Sequence, residues 1–119
     1  MPENTRHWQV VSYETPSARV PVQEFLDRLT LRQRARVLDV LDMLEEAGFR
    51  LGPPWLKKID EDLWEVRVQV EKGQVRIIFC EEGRQIVLLH GLKKKQQKLP
   101  HRDLETARRR CKEHRLRHP

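Results

Sequence analysis

Apolar positions fall into helical and strand-like periods along most of the chain. Val22, Phe25, Leu26 and Leu29 recur at helical spacing behind Pro21, a residue suited to the first turn of a helix. Thr30 with Gln33 three residues on forms a capping-box pair, and Leu31, Ala35, Leu38, Leu41 and Leu44 then predict a second helix ending near Gly48. With almost no linker between them, the two make a helical hairpin. Ahead of it, residues 8–13 combine β-branched and aromatic side chains and predict a strand. After Gly52-Pro53-Pro54, strand-like runs cover residues 55–59, 63–70, 75–80 and 85–90, with reversals at Lys72-Gly73 and Glu82-Gly83. Short turns imply an antiparallel meander. From Pro100 a last helix places Leu104, Ala107 and Cys111 on one face, with Asp103 and Glu105 early and an arginine-rich end, as the helix dipole favours. The expected order is β-α-α-β-β-β-β-α. It describes an α+β fold with an antiparallel-dominated sheet of about five strands, an N-terminal helical hairpin on one face and a C-terminal basic helix.

At 119 residues the chain is read as a single domain, residues 1–119. No apolar run is long enough for a membrane span and the start lacks a secretory signal, so a cytoplasmic protein with no membrane partner is expected. Cys80 and Cys111 are too few for a disulfide scaffold and lack metal-ligand spacing. No metal or cofactor is expected.

Charge changes the picture. Residues 90–119 hold 11 basic and three acidic side chains, net +8, whereas residues 1–89 carry a net −2. Such a field attracts polyanions, and nucleic acid is the leading class; a solvated basic tail is the competing reading.

Placing Lys72-Gly73 as a two-residue turn pairs Val68 with Ile77, Val66 with Phe79 and Gln69 with Arg76. Arg67, Gln69, Arg76 and Ile78 then share the face opposite the apolar one. Two arginines on neighbouring central strands require solvent, a local acid such as Glu65, or an anionic ligand.

Residues 63–67 (Leu-Trp-Glu-Val-Arg), 75–79 (Val-Arg-Ile-Ile-Phe) and 86–100 (Ile-Val-Leu-Leu-His-Gly-Leu-Lys-Lys-Lys-Gln-Gln-Lys-Leu-Pro), with Glu105 and Ala107 beyond, resemble the HigB-type, phage-derived branch of the RelE/ParE toxin superfamily. With Pro21-Val22, the Phe25-Leu26 helix and Lys57-Lys58, the resemblance spans nearly the whole chain. It implies a RelE-like fold and the toxin of a type II toxin–antitoxin pair. Such a toxin cleaves messenger RNA, usually in the ribosomal A site, and is neutralised by a helix-turn-helix antitoxin of the HigA type.

The chemistry is compatible: RNA brings its own 2′-hydroxyl nucleophile, so the protein needs only to position a phosphate, stabilise its charge and move two protons. Carried over by resemblance, Arg67, Arg76 and Lys57 form the catalytic set, the arginines on the scissile phosphate. Lys58, Lys93, Lys94, Lys95 and Lys98 grip RNA or the ribosome. The sequence departs from the family at Val75, where a tyrosine commonly precedes the strand arginine. His90 is the acid–base alternative by chemistry, yet a Glu82-Gly83 turn places it opposite Val75 on the apolar face, as a structural histidine. Trp64 is read as core, and His101, His114 and His118 as solvated. Two non-catalytic readings remain: a ParE-type gyrase inhibitor, and a phage-derived RNA-binding module.

Overall fold

The computed structural model describes residues 8–94 and 98–119. In it the chain forms β1 (Gln9–Ser12), α1 (Pro21–Asp27), α2 (Leu31–Ala47), a 3-10 turn (Gly48–Leu51), β2 (Leu56–Lys58), β3 (Trp64–Val70), β4 (Gly73–Glu82), β5 (Gln85–Lys94) and α3 (His101–Arg117). The sheet order is β1-β5-β4-β3-β2. Its pairs are antiparallel except for β1 beside β5, which is parallel. The element order expected from periodicity is the one observed.

Local signals account for the hairpin. Pro21 opens α1, and Thr30 caps α2. Its hydroxyl accepts from the Gln33 backbone N–H at 3.1 Å while the Gln33 side chain accepts from the Thr30 N–H at 3.2 Å. The inward stripe of α2 differs from the leucine series. Gln33, Val37, Val40, Leu41 and Leu44 are buried, whereas Leu31 and Leu38 face solvent. Gln33 is the reason: besides closing the cap, its amide donates to the Glu71 carbonyl at 3.0 Å, which turns that edge of the helix toward the sheet.

Two apolar layers hold the sheet. On one face, Val22, Leu26, Val37, Val40 and Leu44 pack against Val66, Val68, Val75, Ile77, Phe79, Ile86 and Leu88. Trp64 and Phe49 join this layer with ring centroids 4.9 Å apart, so Trp64 is core. On the other face, Ala107 and Cys111 of α3 cover Ile78, Cys80, Val87 and Leu89. Burial of each such aliphatic side chain contributes about 1.5–3 kcal/mol.

Register corrects two expectations. Val70 pairs with Gly73, so the β3–β4 turn is Glu71-Lys72, one residue earlier than Lys72-Gly73, with Lys72 at φ 65°. Arg76 therefore faces Arg67 rather than Gln69; a two-residue slip leaves every side chain on its expected face. His90 does change face. Glu82 pairs with Gln85, and a bulge between the Ile78 and Phe79 pairs adds one residue to β5, so His90 lies opposite Ile78 and not Val75. His114 also departs from expectation: it is buried against the sheet face of α3.

Candidate functional site

The ladder arranges the polar side chains of the α3 face in rows. Lys57, Glu65, Ile78 and His90 lie across one row, Arg67, Arg76 and Leu92 across the next, and Gln69, Gln74 and Lys94 across a third. Paired residues share a face, so the register brings Arg67, Arg76, Lys57 and Lys94 together. Lys58 and Lys93 fall on the opposite face, Lys58 with its ammonium 5.8 Å from the Trp64 ring centroid. Lys98 is exposed, and its carbonyl accepts from the Lys94 ammonium at 2.7 Å. Lys95 lies outside the described residues.

Glu65 organises the arginines. Its carboxylate is 1% exposed; one oxygen accepts from Arg67 Nε at 2.8 Å, and the other stands 3.9 Å from an Arg76 terminal nitrogen. That second oxygen, Oε1, is buried without a hydrogen-bond partner. Arg76 is itself buried and donates from Nε to Gln74 at 2.9 Å, whereas Arg67 keeps 22% of its side chain exposed. Of the two, Arg67 is the one open to a ligand. Glu65 answers the demand for a counter-charge that two arginines on central strands create.

A second cluster surrounds His90, on the part of β5 beyond its pairing with β1. His90 Nε2 lies 2.6 Å from Asp103 Oδ1, and Arg110 donates to the Leu89 carbonyl at 2.9 Å and toward His90 Nδ1 at 3.3 Å. A guanidinium only donates, so Nδ1 accepts and the ring proton sits on Nε2 toward Asp103. Arg110 also lies over the Tyr13 ring, 5.7 Å from its centroid. Burial, with Arg109 and Arg19 nearby, lowers the Arg110 pKa from its ordinary value. Burial and the hydrogen bond to Glu113 raise that of Tyr13.

A cavity of about 250 Å³ adjoins this cluster, bounded by Arg19, Glu24, Arg28, His90, Gly91 and Arg110. A larger one of about 510 Å³ lies between the Asp60–Asp62 loop and α3. Its arginines are neutralised: Arg108 pairs with Asp60 and Glu105, and Arg115 with Glu82 and Asp62. Among the described residues no group of three His, Cys, Asp or Glu side chains is placed to hold a metal ion. No helix of the structure is long and apolar enough to cross a membrane.

The sequence names Glu65 as a local acid for the two arginines and Asp103 as a first-turn acid of α3, whereas the meeting of Asp103 and Arg110 with His90 is not foreseen from it. Asp103, Ala107 and Arg110 do recur at i, i+4 and i+7, so their common face was visible; the strand residue it meets was not.

No curated protein matches the sequence. The family model for phage-derived Gp49-like proteins (DUF891) matches residues 24–112, a span running from α1 through Lys112 of α3 and containing Glu65, Arg67 and Arg76 as well as His90, Asp103 and Arg110. The chain therefore belongs to the Gp49-like phage-derived family, a family of RelE/HigB-like toxins.

Proposed function

We propose that the protein is the toxin of a type II toxin–antitoxin pair, of the HigB type, and an endoribonuclease that cleaves messenger RNA in the ribosomal A site. The observation that carries this reading is the opposed pair Arg67 and Arg76 over Glu65, flanked on the same face by Lys57 and Lys94. Arg67 holds the scissile phosphate by its planar fork, with Arg76 behind it fixing Glu65. Lys57, Lys94 and Lys98 hold the flanking backbone; Lys58 and Lys93 reach only RNA that wraps around the sheet. The ribose 2′-oxygen forms a bond to phosphorus as the bond to the 5′-oxygen breaks, leaving a 2′,3′-cyclic phosphate. One proton leaves the 2′-hydroxyl and another reaches the 5′-oxygen. His90, with Nδ1 accepting, is the acid–base candidate for this transfer. A helix-turn-helix antitoxin of the HigA type would cover the cationic face.

A second reading, a toxin or RNA-binding protein without catalysis, is favoured by one observation: the Glu65 carboxylate already lies against both arginines, and Arg76 is buried. Arrested ribosomes carrying a defined message separate the two. The nuclease reading expects A-site cleavage by the wild type and a loss of at least 100-fold in Arg67→Ala. Intact message with inhibited DNA supercoiling selects a gyrase inhibitor. Intact message with salt-dependent RNA binding alone selects the binding module.

A further inference from the structure

The cavity between α1, the β5 bulge and α3 is lined by an excess of basic over acidic side chains. Three guanidinium groups border it, from Arg19, Arg28 and Arg110, against one carboxylate, Glu24. Glu24 is spent on Arg19, which donates to it through two nitrogens at 2.9 and 2.6 Å. Among the described residues, neither Arg28 nor Arg110 has a carboxylate within ion-pair distance. Elsewhere on α3, Arg108, Arg115 and Arg117 are each paired. The half-buried Arg110 is instead fixed by neutral groups: the Leu89 carbonyl, the His90 ring and the face of Tyr13.

We propose that this cavity is a binding site for a phosphate monoester, with Arg110 and Arg28 as its ligands, Arg19 as an outer cation and the Asp103-oriented His90 at its wall. The excess of two positive charges over the cavity matches a phosphate dianion and exceeds what a diester carries. The 3.3 Å contact from Arg110 to His90 is a long hydrogen bond that a phosphate oxygen can replace at shorter range. His90 Nδ1 is then left as an acceptor for a hydroxyl on the same ligand, while Asp103 keeps the ring proton on Nε2. Phe25 supplies an apolar wall: a Cβ on Gly91 would lie 2.5 Å from Phe25 Cδ2, so the ring rests directly on the β5 backbone. The site shares His90 with the cleavage proposed at Arg67 and takes its anion ligands, Arg28 and Arg110, from outside that arginine pair.

The test is calorimetric titration of the full chain in phosphate-free buffer with inorganic phosphate, uridine 3′-monophosphate and a dinucleoside monophosphate, whose only phosphate is a diester. Saturable 1:1 binding of both monoesters is expected, with the diester at least roughly 10-fold weaker. Loss of one charge-assisted contact corresponds to roughly 10-fold or more, so Arg28→Ala and Arg110→Gln should each weaken monoester binding by at least that factor. Arg28 is exposed, and its side chain makes no hydrogen bond or ion pair among the described residues, so Arg28→Ala keeps the test decisive if Arg110→Gln fails to fold. Arg67→Ala should bind monoesters as the wild type does, whether or not it still cleaves RNA. Inorganic phosphate binding equally to the nucleotide assigns the site to the phosphate group alone; tighter nucleotide binding assigns Phe25 and His90 to the nucleoside. No saturable monoester binding, equal affinity for the diester, or wild-type affinity in Arg28→Ala overturns the proposal. Loss of binding in Arg67→Ala moves the anion to the sheet face and overturns it as well.

Discussion

Arg67 and Arg76 stand directly opposite one another across the β3–β4 ladder, and the carboxylate of Glu65 lies against both. Like charges facing each other on a sheet destabilise it, and the Glu65 carboxylate against both offsets that cost. The three residues are one electrostatic unit, which sets what each substitution does.

Removing Glu65 takes a buried carboxylate from beside the buried Arg76 and the partly exposed Arg67. Glu65→Ala is expected to cost about 3–5 kcal/mol, the range for breaking a buried ion pair from one side. Arg67→Ala leaves the buried Glu65 carboxylate facing Arg76 but without the hydrogen bond it accepts from Arg67, so about 1–3 kcal/mol is expected. Urea unfolding of the two variants reads both numbers. An equal cost for the two would show that Glu65 does not hold Arg76.

The register sorts the lysines, and RNA binding should follow it. Lys57→Ala and Lys94→Ala are each expected to weaken binding of a short single-stranded RNA. Each should also lower the slope of log affinity against log salt by about 0.7, the value for one phosphate contact on a single strand. Lys58→Ala and Lys93→Ala, on the other face, should leave that slope unchanged. Titrations at several salt concentrations check this; equal slope changes in all four would mean that RNA does not lie on the α3 face.

Legibility in the sequence tracked the range of the interaction. Pro21, the Thr30–Gln33 cap and the strand periodicity are local, and each predicted its element. The pairing of Arg67 with Arg76 on one face was also within reach, because an error of one residue in turn position shifts a hairpin register by two and preserves faces. His90 was misplaced for the complementary reason: the β5 bulge adds a single residue, and a single residue inverts a face. Leu31 and Leu38 belong to the apolar series that predicts α2 yet are exposed, because the bond from Gln33 to Glu71, 38 positions away, sets the rotation of the helix. Asp103 and Arg110 became recognisable only once α3 was docked.

Gly91 and Gly48 mark two places where backbone and ring meet. At Gly91 an added Cβ would lie 2.5–2.9 Å from Phe25 ring atoms, so Gly91→Ala must displace that ring, at about 1–3 kcal/mol. At Gly48 the added Cβ would fall within 2.0–2.7 Å of the Trp8 indole, on a backbone already at φ 59°. Strain from the positive φ adds to the clash there, so Gly48→Ala is expected to be the more destabilising of the two. Thermal unfolding with tryptophan fluorescence checks the order, and a larger loss in Gly91→Ala would contradict it.

His114 gives the fold a dependence on pH whose sign is fixed by its surroundings. The ring is buried, its Nε2 lacks a hydrogen-bond partner, and it stacks on His118 with centroids 4.3 Å apart. Burial is the main cause that lowers its pKa below the ordinary 6.5; His118, Arg117 and Arg115 act in the same direction and Glu82 against it. The unfolded chain therefore binds the proton more readily than the native one. Stability contributed by the neutral ring is fully present above about pH 7 and is lost as the pH falls through the ordinary histidine range. His114→Phe, which keeps a flat ring and removes the titration, should flatten that part of the profile. Chemical unfolding at pH 7.5 and 5.5 measures it. A wild-type stability that rises on acidification, or an unchanged slope in the variant, would assign the dependence to another group.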